Sequence, residues 1–427
     1  MIKVATPIQT PSYFLPLLVT LLVVFGLCSY NLQANQNTEQ TTKAPHQSKS
    51  GDSSITPRTL NQILRQIDSY YVDEVNVNVL LENAIKEVFK QLDPHSTYLN
   101  ERDLNTLFEM ANGQYDGLGI EVELRNDLLV ILETIKNSPA EMAGLQKGDI
   151  INSINGIDVK GKTLEQVSEL IKQSKQKTQL VVKRDYYDKT LDFSLEKAKI
   201  EVESVTHKLL HNDIGYLKIY TFQSNTTDDI VKSIDYLKKL TDNQLKGLII
   251  DLRDNPGGVL DSAVGVSDLF LNKGTIVTTR GRFNDANQNF LATPGDLLPG
   301  KPIYVLINKG SASASEIVAG ALKENDRATI VGMQSFGKGS VQSLIPLGNG
   351  NTAIKLTTAL YFTPDGLSIN GIGITPDVEI PQQQVNETSQ SPIMGLDERW
   401  GLSGKMLANR DFQLDEAQKL VLKQILQ

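Results

Sequence analysis

Residues 310–342 read GSASASEIVAGALKENDRATIVGMQSFGKGSVQ, and they combine the strongest structural signals in the chain with its strongest chemical ones. The apolar run Ile303–Ile307 just before them is strand-like, and a serine-rich turn joins it to an apolar helical run. A second short strand follows, and after it Lys338 stands between two glycines. Strands and helices that alternate in this way predict an α/β core with parallel strands, here over residues 200–381.

The serine-rich turn contains three candidate nucleophiles, Ser311, Ser313 and Ser315. A serine at a helix N-terminus is most often a cap, and we expect Ser315 to cap a helix that begins near Glu316. The start of a helix also offers free N–H groups and the positive end of its dipole to an oxyanion. One of the three serines is therefore a candidate nucleophile, and local chemistry does not say which.

A nucleophilic serine needs a base. The chain has four histidines, namely His46, His95, His207 and His211. None lies in a sequence context that suits a catalytic base, and the sequence has neither a GxSxG elbow nor an HExxH motif. We interpret the histidines as ordinary surface or half-buried residues, which leaves Lys338 as the candidate base.

Lys338 also has a rival interpretation, as part of a phosphate-binding loop. Gly332, Gly337 and Lys338 fit the beginning of a Walker A motif, but Gly339 stands where the motif needs Ser or Thr for Mg²⁺. The residues that follow alternate like a strand, whereas a phosphate loop leads into a helix. We therefore reject nucleotide binding.

As a base, Lys338 must be neutral near pH 7, so its pKa must fall from about 10.4 to about 7–8. Burial away from water lowers the pKa of a lysine. We expect Phe336, Val341 and the glycine backbone to form the apolar surroundings. Gln342 lies four residues later, on the same side of either a helix or a strand, and can hold the lysine through its amide oxygen.

A polar turn at residues 251–258, DLRDNPGG, follows another strongly apolar run. Asn-Pro and Gly-Gly are strong turn formers, so a purely structural turn is one interpretation. The other is that a glycine N–H faces a reacting carbonyl oxygen, because α/β proteins place their sites at this end of a strand. The residues alone leave both interpretations open.

The bulk properties exclude several function classes. The chain has 427 residues, 40% hydrophobic and 22% charged, which is enough for two or three globular domains. Its net charge of −8 and the lack of a dense Lys/Arg run argue against nucleic acid as a partner. Cys28 is the single cysteine, which excludes a disulfide framework and a cysteine metal site, and its place in an apolar stretch argues against cysteine catalysis. No metal, nucleotide or other cofactor is implied.

Residues 1–34 contain an uncharged, mostly apolar run from Phe14 to Tyr30. It is long for the apolar region of a signal peptide and slightly short for a membrane helix, and both interpretations stay open. Either one exports the rest of the chain to the periplasm or anchors it to the membrane facing the extracytoplasmic side. This segment is the only membrane contact we expect. Residues 35–57 are rich in Gln, Asn, Thr and Ser, which predicts a disordered tether.

Two units are predicted between the tether and the α/β core. Residues 58–112 repeat apolar positions at helical spacing and predict a helical module, broken at Asp93-Pro94 and restarting near Glu101. Residues 113–186 begin with two strand-like runs around a polar turn at residues 125–127. A helix later in this second unit has a capping box formed by Thr163 and Gln166.

The second unit resembles a PDZ domain, because SPAEMAGLQKGDIINSINGIDV at residues 138–159 matches the middle section of that family. A GLG loop before a strand can turn backbone N–H groups toward a carboxylate, and an exposed strand edge can accept a peptide. The resemblance implies that Leu118, Gly119 and Ile120 supply the carboxylate-binding amides. Leu164 and Val167, on one helix face, would form the other wall of the groove.

Taken in order, the motifs resemble those of the carboxyl-terminal processing peptidases, the tail-specific serine proteases of the S41 type. The resemblance is carried by LDPHSTYL, DLRDNPGG, GSASASEIVAGAL, FGKGSVQ, KLTTALYFTPDG and GIGITPDV. It implies that Ser313 is the nucleophile, Lys338 the general base and Gln342 the partner that orients the lysine. It also implies that the backbone N–H groups of Ala314 and Gly258 form the oxyanion hole.

One residue departs from the family pattern, which usually has Asn where this chain has Asp254. We expect the site not to depend on that side chain. The resemblance implies a multidomain α/β fold, with a crotonase/ClpP-like α/β protease core, an inserted α+β PDZ domain and the helical N-terminal module. Residues 187–199 are then a connecting strand. Residues 382–427 lie outside the resemblance, and their own composition predicts a Gln/Ser/Asn-rich linker followed by an amphipathic helix at Leu414 to Leu426.

The predicted function is that of a serine endopeptidase with a Ser–Lys dyad. Its PDZ domain would capture the free, apolar C-terminus of a protein or peptide substrate, and the core would cleave a peptide bond. The resemblance further implies that the PDZ domain gates the site and that the N-terminal helices mediate homodimerisation or higher assembly. An adaptor protein is a further expected partner.

Two alternatives belong to other classes. A non-catalytic PDZ scaffold would be expected to have lost Ser313 or Lys338, and both are present. An acyl-transfer enzyme on a crotonase-like core would act on a small thioester. The export segment and the PDZ domain argue against that enzyme, because coenzyme A thioesters are cytoplasmic.

Overall fold

The structure is a computed structural model that describes residues 56–174, 176–184, 190–348, 350–381 and 411–427. The predicted signal peptide or anchor, residues 35–55 of the tether and residues 382–410 of the linker lie outside the described residues. Within the described ranges, no helix is long and apolar enough to cross a membrane. The chain divides into two units, residues 1–101 with 341–358 and residues 102–340 with 359–427.

Helices and strands are numbered in chain order. The α-helices of the described residues are α1 (Pro57–Tyr70), α2 (Val77–Lys90), α3 (Glu101–Asn112), α4 (Pro139–Ala143), α5 (Leu164–Lys172), α6 (Thr226–Leu240), α7 (Leu260–Asp268), α8 (Ala314–Glu324) and α9 (Phe412–Ile425). The strands are β1 (Thr97–Leu99), β2 (Gln114–Gly117), β3 (Ile120–Arg125), β4 (Leu128–Thr134), β5 (Ile150–Ile154), β6 (Ile157–Asp158), β7 (Lys177–Lys183), β8 (Leu191–Glu196), β9 (Ala198–Glu201), β10 (Val205–Leu210), β11 (Ile214–Ile219), β12 (Gly247–Asp251), β13 (Thr275–Gly281), β14 (Gln288–Leu291), β15 (Ile303–Ile307), β16 (Thr329–Gly332), β17 (Ser340–Leu347), β18 (Thr352–Phe362) and β19 (Val378–Glu379).

The first unit contains α1, α2 and a small antiparallel sheet. At the predicted break near Asp93-Pro94, the Asp93 carboxylate accepts hydrogen bonds from the N–H groups of His95 and Ser96, at 2.7 and 2.8 Å. This turn directs the chain into β1, which pairs with residues 353–355 of β18. The helical spacing of residues 58–112 gave no sign of this strand, because its pairing partner is far away in the sequence.

The unit formed by residues 102–340 and 359–427 contains two large sheets. The first of them has the order β3-β4-β5-β7-β8, with β6 paired to β5. The predicted strands on either side of the 125–127 turn are present as β3 and β4, and the capping box of Thr163 and Gln166 is present at α5. β8 was expected to be a connecting strand, but it pairs antiparallel with β7 and belongs to this sheet. Among the described residues β3 pairs with β4 alone, so it forms an edge of the sheet.

The second sheet of this unit has the order β10-β11-β12-β15-β16-β19. Its strands run parallel from β11 to β19, and β10 alone is antiparallel. All residues of β12 and β15 are buried, as expected for strands covered on both faces. The predicted α/β core with parallel strands is confirmed.

β13 is an exception to the prediction, because it was expected to be a strand of the parallel core. It pairs antiparallel with β14 and with residues 359–362 of β18 instead. Its burial alternates along much of its length, which suits a sheet with one exposed face.

The C-terminal helix α9 covers one face of the parallel sheet. Ala417 and Val421 are fully buried there against Ile249, Tyr304 and Leu306. The predicted amphipathic helix at the end of the chain is therefore present, and its apolar stripe completes the core of the sheet.

Candidate active site

The turn between β15 and α8 holds the three candidate serines. The buried hydroxyl of Ser311 donates to the carbonyl of Leu252 at 2.8 Å and accepts from the N–H of Asn308 at 3.0 Å. Ser315 is also buried, and its hydroxyl donates to the carbonyl of Asn255 at 2.9 Å. Both hydroxyls therefore hold the turn against the neighbouring backbone.

Ser313 differs from the other two serines in conformation and exposure. It is half-buried, and its φ of 56° and ψ of −114° are rare outside glycine. Strained residues of this kind are concentrated at functional sites. α8 begins at Ala314, so Ser313 occupies the N-cap position. The prediction that Ser315 caps a helix beginning near Glu316 is wrong, because the chain already turns into the helix at Ser313.

The Glu316 carboxylate joins the nucleophile turn to the lysine loop, and its residue is only 1% exposed. One of its oxygens accepts hydrogen bonds from the N–H groups of Ser313 and Lys338, at 2.8 and 2.9 Å. The other accepts from the N–H of Gly337 and the hydroxyl of Ser335, both at 2.6 Å. Hydrogen bonds to a charged acceptor are the stronger ones in proteins. A single side chain thus fixes the backbone of both predicted catalytic residues.

The loop that carries Lys338 approaches the backbone of residues 370–373, and its two glycines make this approach feasible. Gly337 has a φ of +90°, and a Cβ there would lie 2.9 Å from the amide nitrogen of Ile372. A Cβ at Gly339 would lie 2.6 Å from the amide nitrogen of Asn370. Larger residues would push the loop away. The FGKGS motif therefore places Lys338, which is half-buried, by close backbone packing.

Two aromatic residues near Lys338 have different environments. Phe336 is 62% exposed, so more than half of its surface is open to solvent, and its part in burying Lys338 stays a prediction. Tyr361 is buried, and its hydroxyl donates to the carbonyl of Lys338. Burial raises the pKa of Tyr361 well above its usual value, the Glu316 carboxylate adds to this rise, and a hydrogen bond with the Ser313 side chain opposes it. Tyr361 is thus a protonated, buried phenol beside the predicted dyad.

The turn at residues 251–258 lies against Ser313. Gly257 has a φ of +107°, and a Cβ there would lie only 2.8 Å from the Cβ of Ser313. Asn255 holds this turn, because its side-chain oxygen accepts from the N–H of Gly257 at 2.8 Å and its carbonyl accepts from the N–H of Ala312 at 3.0 Å. The structure therefore brings the DLRDNPGG motif to the candidate nucleophile.

The two predicted oxyanion donors are both at this junction. Gly258 follows Gly257 in the turn, and Ala314 is the first residue of α8. Among the described residues, no acceptor is hydrogen-bonded to the backbone N–H of either one. Both N–H groups are therefore free to bind a ligand oxygen.

Asp254 takes part in the same junction. Its N–H donates to the side-chain oxygen of Asn308 at 2.9 Å, and its carboxylate accepts from the side-chain nitrogen of Asn308 at 2.8 Å. Asp254 therefore ties the turn to the end of β15, and the expectation that the site does not depend on its side chain stays a prediction. Its φ of 60° is one that Asp and Asn adopt more readily than other side chains.

Gln342 lies on β17 in the first unit, where its side-chain nitrogen donates to the hydroxyl of Thr357 at 3.2 Å. Its role as the partner of Lys338 stays a prediction. His207 and His211 are both exposed, and the ring of His207 packs on Tyr236 with a centroid distance of 5.1 Å. These two histidines fit the interpretation as ordinary surface residues.

In the PDZ-like unit, Leu118 and Gly119 form the loop before the edge strand β3, which starts at Ile120. Gly119 has a φ of +74°, and a Cβ there would lie 2.2 Å from the Cβ of Ser138, so glycine is required. Within the described ranges, the N–H groups of Leu118 and Gly119 donate to no other group. Ile120 is half-buried. An edge strand next to free amides is suited to an added peptide strand.

The two predicted groove residues on α5 differ in exposure. Leu164 is 41% exposed, whereas Val167 is 2% exposed and packs in the core of the unit. Leu164 is therefore the one whose side chain a ligand can reach without a rearrangement.

Two residues of the site were missed by sequence reasoning, Glu316 and Tyr361. Ser313 and Glu316 have the spacing of a capping box, so the pattern was visible but indicates only a helix start. It does not indicate that the carboxylate also reaches the lysine loop. Tyr361 had no local signal, because its role depends on the pairing of β18 with β13.

Comparisons with known proteins identify the family of the chain and its PDZ domain. The profile of peptidase family S41 matches residues 213–380, and that of the PDZ domain matches residues 130–184. A carboxy-terminal-processing protease of Bartonella bacilliformis is 42% identical over 382 residues, which cover 85% of this chain and 87% of that protein. The carboxy-terminal processing protease CtpA of Bacillus subtilis is 34% identical, over 75% of this chain and 68% of its own.

Among solved structures, a photosystem II D1 C-terminal processing protease is 28% identical with a TM-score of 0.44, and the match covers 75% of this chain and 92% of that one. The identity to the Bartonella protein over most of both chains decides the family. The chain is a serine-type peptidase with a PDZ domain and belongs to the carboxy-terminal processing proteases of family S41.

Proposed function

We propose that this peptidase cleaves with a Ser–Lys dyad in which Ser313 is the nucleophile and Lys338 the general base. The observation that carries the proposal is the buried Glu316 carboxylate, which hydrogen-bonds the backbone N–H of both residues. The strained backbone of Ser313 supports the same assignment, as does the use of the Ser311 and Ser315 hydroxyls in structural hydrogen bonds.

In this mechanism, the neutral amine of Lys338 accepts the proton of the Ser313 hydroxyl while Oγ bonds to the carbonyl carbon of the substrate. The N–H groups of Gly258 and Ala314 stabilise the negative oxygen that results. The lysine then gives its proton to the leaving amine, and the peptide bond breaks to form an acyl-enzyme. A water molecule, deprotonated by the same amine, hydrolyses the ester and restores Ser313. Gln342 orients the lysine.

We further propose that the substrate is a protein with a free, apolar C-terminus. The carboxylate would bind to the amides of Leu118, Gly119 and Ile120, and the tail would extend along β3 beside Leu164 and Val167. The open edge of β3 and the free N–H groups before it support this proposal. The names of the Bartonella and Bacillus relatives describe carboxy-terminal processing, which is the same class of reaction.

The remaining features of the proposal concern the whole chain. We propose the domain boundaries given by the sequence, 1–34, 35–57, 58–112, 113–186, 200–381 and 382–427, with one change. Because β8 pairs with β7, the PDZ domain extends to residue 196. We also propose a crotonase/ClpP-like topology for the core, homodimerisation or higher assembly through the N-terminal helical module, and gating by the PDZ domain or an adaptor. Export to the periplasm, with a cleaved signal or a membrane anchor, rests on the apolar run at Phe14 to Tyr30.

The test uses an unfolded protein substrate with an apolar tail, in a free and an amidated form. Wild type is expected to cleave the free form faster, and Ser313→Ala and Lys338→Ala are expected to be inactive. Activity of the wild type should increase with pH between about 6 and 9, since the neutral amine is the reactive form. Undiminished cleavage by Ser313→Ala would refute the assignment of Ser313 as the nucleophile. Equal cleavage of the free and the amidated substrate would refute capture of the substrate carboxylate.

A further inference from the structure

A buried charge network lies at the beginning of the turn that carries Gly257 and Gly258. Asp251, 1% exposed, accepts from the hydroxyl of Tyr216 at 2.8 Å and from Lys218 Nζ at 3.2 Å. The guanidinium of Arg253 binds the same carboxylate, with Nε at 3.0 Å and Nη2 at 2.5 Å. Burial opposes ionisation of Asp251, but the hydrogen bonds and charge of Arg253 hold its pKa below the usual value. The network therefore stays charged at neutral pH.

The other side of the Arg253 guanidinium binds the C-terminal helix. Asp411, the N-cap residue of α9, accepts from Nη1 at 2.8 Å and from Nη2 at 2.7 Å, which is a bidentate pair. Gln413 accepts from Nη1 at 3.1 Å, and its own side-chain nitrogen donates to the carbonyl of Ile380 at 2.7 Å. All the guanidinium nitrogens of Arg253 are thus held between Asp251 and the start of α9.

α9 is itself firmly docked, so it can hold Arg253 in place. Val421 packs so closely on β12 that a Cβ added to Gly247 would lie 2.7 Å from its Cγ1. Near the other end of the helix, the Tyr304 hydroxyl and the side-chain oxygen of Gln424 are 2.9 Å apart. The S41 family profile ends at residue 380, so neither α9 nor Asp411 lies in the part of the chain that it matches.

Arg253 is joined to the proposed oxyanion hole by a short, rigid path. Lys218 Nζ donates to the carbonyl of Arg253, and the next residue, Asp254, is paired with Asn308 through two hydrogen bonds. Asn255 then orients Gly257 through its side-chain oxygen. A shift of Arg253 would therefore move the chain that leads to the Gly258 N–H.

We infer that Asp411 is a positioning residue for catalysis: it holds Arg253 and thereby the turn that presents the Gly258 N–H to the developing oxyanion. The inference rests on the proposed function, because it needs Gly258 to be an oxyanion donor. The C-terminal helix is in this account a part of the catalytic machinery, although it contributes no group that touches the substrate.

The chain offers a discriminating pair of variants. Asp411→Asn keeps a good N-cap side chain, which at present accepts the N–H of Leu414 at 3.1 Å, but removes the charge that binds Arg253. Glu416→Gln is the matched control, because it removes one charge and one ion pair, with Lys419, from the same helix. The side chains of Asp411 and Glu416 are 40% and 41% exposed.

Full-length variants would be assayed with an internally quenched peptide that ends in a free apolar tail, and inhibited with a peptide aldehyde. The aldehyde forms a tetrahedral adduct with a nucleophilic serine, so its affinity reports on the oxyanion hole. We expect Asp411→Asn to lower kcat about tenfold or more with KM unchanged, and to weaken aldehyde binding by a similar factor. Asp411→Glu should recover part of the loss, and Glu416→Gln should match wild type.

The two readouts distinguish a failure of the inference about Asp411 from a failure of the proposed function. The folded fraction of each variant would be measured by near-UV circular dichroism, and kcat would be expressed per folded molecule. If folded Asp411→Asn keeps the kcat and the aldehyde affinity of the wild type, Asp411 is merely structural and the inference is wrong. If Asp411→Asn does not fold, Asp411→Glu and Arg253→Lys must each show a partial loss in both readouts, and wild-type values in both variants would overturn the inference. A wild type without Ser313-dependent cleavage would instead refute the proposed function.

Discussion

The proposed catalytic junction, where the turns of Ser313, Lys338 and Gly257 meet, and the proposed PDZ groove at β3 differ in how their backbone groups are used. At the junction, the Glu316 carboxylate takes four hydrogen bonds, and the three turns that meet there are tied to each other through backbone and buried side chains. At the groove, the edge of β3 is open, and the amides of Leu118 and Gly119 are free among the described residues. A site that performs chemistry needs preorganised groups, whereas a site that captures chain ends needs unpaired backbone groups.

Glu316→Gln tests the preorganised side of this comparison and should have the largest effect. The amide nitrogen of a glutamine would face N–H donors, so at least part of the four-bond arrangement is lost. Hydrogen bonds to charged groups contribute about 1.5–3 kcal/mol each, so we expect kcat to fall by about a hundredfold or more. Glu324→Gln on the same helix, whose carboxylate accepts only from the N–H of Asp365 in the hydrogen bonds described, is the control. Comparable activity of Glu316→Gln and Glu324→Gln in steady-state assays would contradict the account.

Gly257→Ala tests the close contact between two turns of the junction. The added Cβ would lie 2.8 Å from the Cβ of Ser313 and from the carbonyl oxygen of Ala312, at a φ of +107°. We expect kcat to fall by about tenfold to a hundredfold, since displacements of about an ångström are that costly in an active site. Gly300→Ala also places a Cβ at a positive φ, +72°, but into open space, and should cost only stability. A normal kcat for Gly257→Ala would show that this contact does not position the nucleophile.

Leu164→Lys tests the groove and should have the smallest effect. The leucine side chain is 41% exposed, and in the proposed groove it forms part of one wall, so a charge there would oppose an apolar tail. We expect KM for a peptide with a free apolar tail to increase about tenfold, with kcat unchanged. Leu128→Lys, at a leucine of 38% exposure in the same unit, is the control. An equal change in KM for the two variants would show that Leu164 does not line the peptide-binding groove.

Features with a local sequence pattern could be predicted, whereas features that depend on distant parts of the chain could not. The PDZ hairpin, the capping box at Thr163 and the parallel core were predictable, because each has a local pattern of turn residues or apolar spacing. The proximity of Gly257 to Ser313 was predictable only in outline, from two turns that follow buried parallel strands. Strand β1 and the pairing of β13 were not predictable, because both depend on β18, which is far away in the chain.

Within the candidate site, the order of motifs predicted Ser313 and Lys338, but it did not predict the residues that hold their backbone. Glu316 looks like a helix cap in the sequence, and its second function needs the loop at Gly337 to be folded against it. Asp411 lies beyond every recognised motif, and its partner Arg253 looks like an ordinary turn residue. Buried polar networks of this kind depend on tertiary structure and leave no periodic signal.

The most direct test of the central claim is covalent labelling of the nucleophile. Full-length protein would be treated with a fluorophosphonate probe, and the modified residue identified by mass spectrometry of its peptides. We expect a single label on Ser313. The rate of labelling should be about a hundredfold or more lower in both Lys338→Ala and Glu316→Gln than in the wild type. Labelling of Ser311 or Ser315, or labelling of Ser313 at the wild-type rate in Lys338→Ala, would contradict this claim.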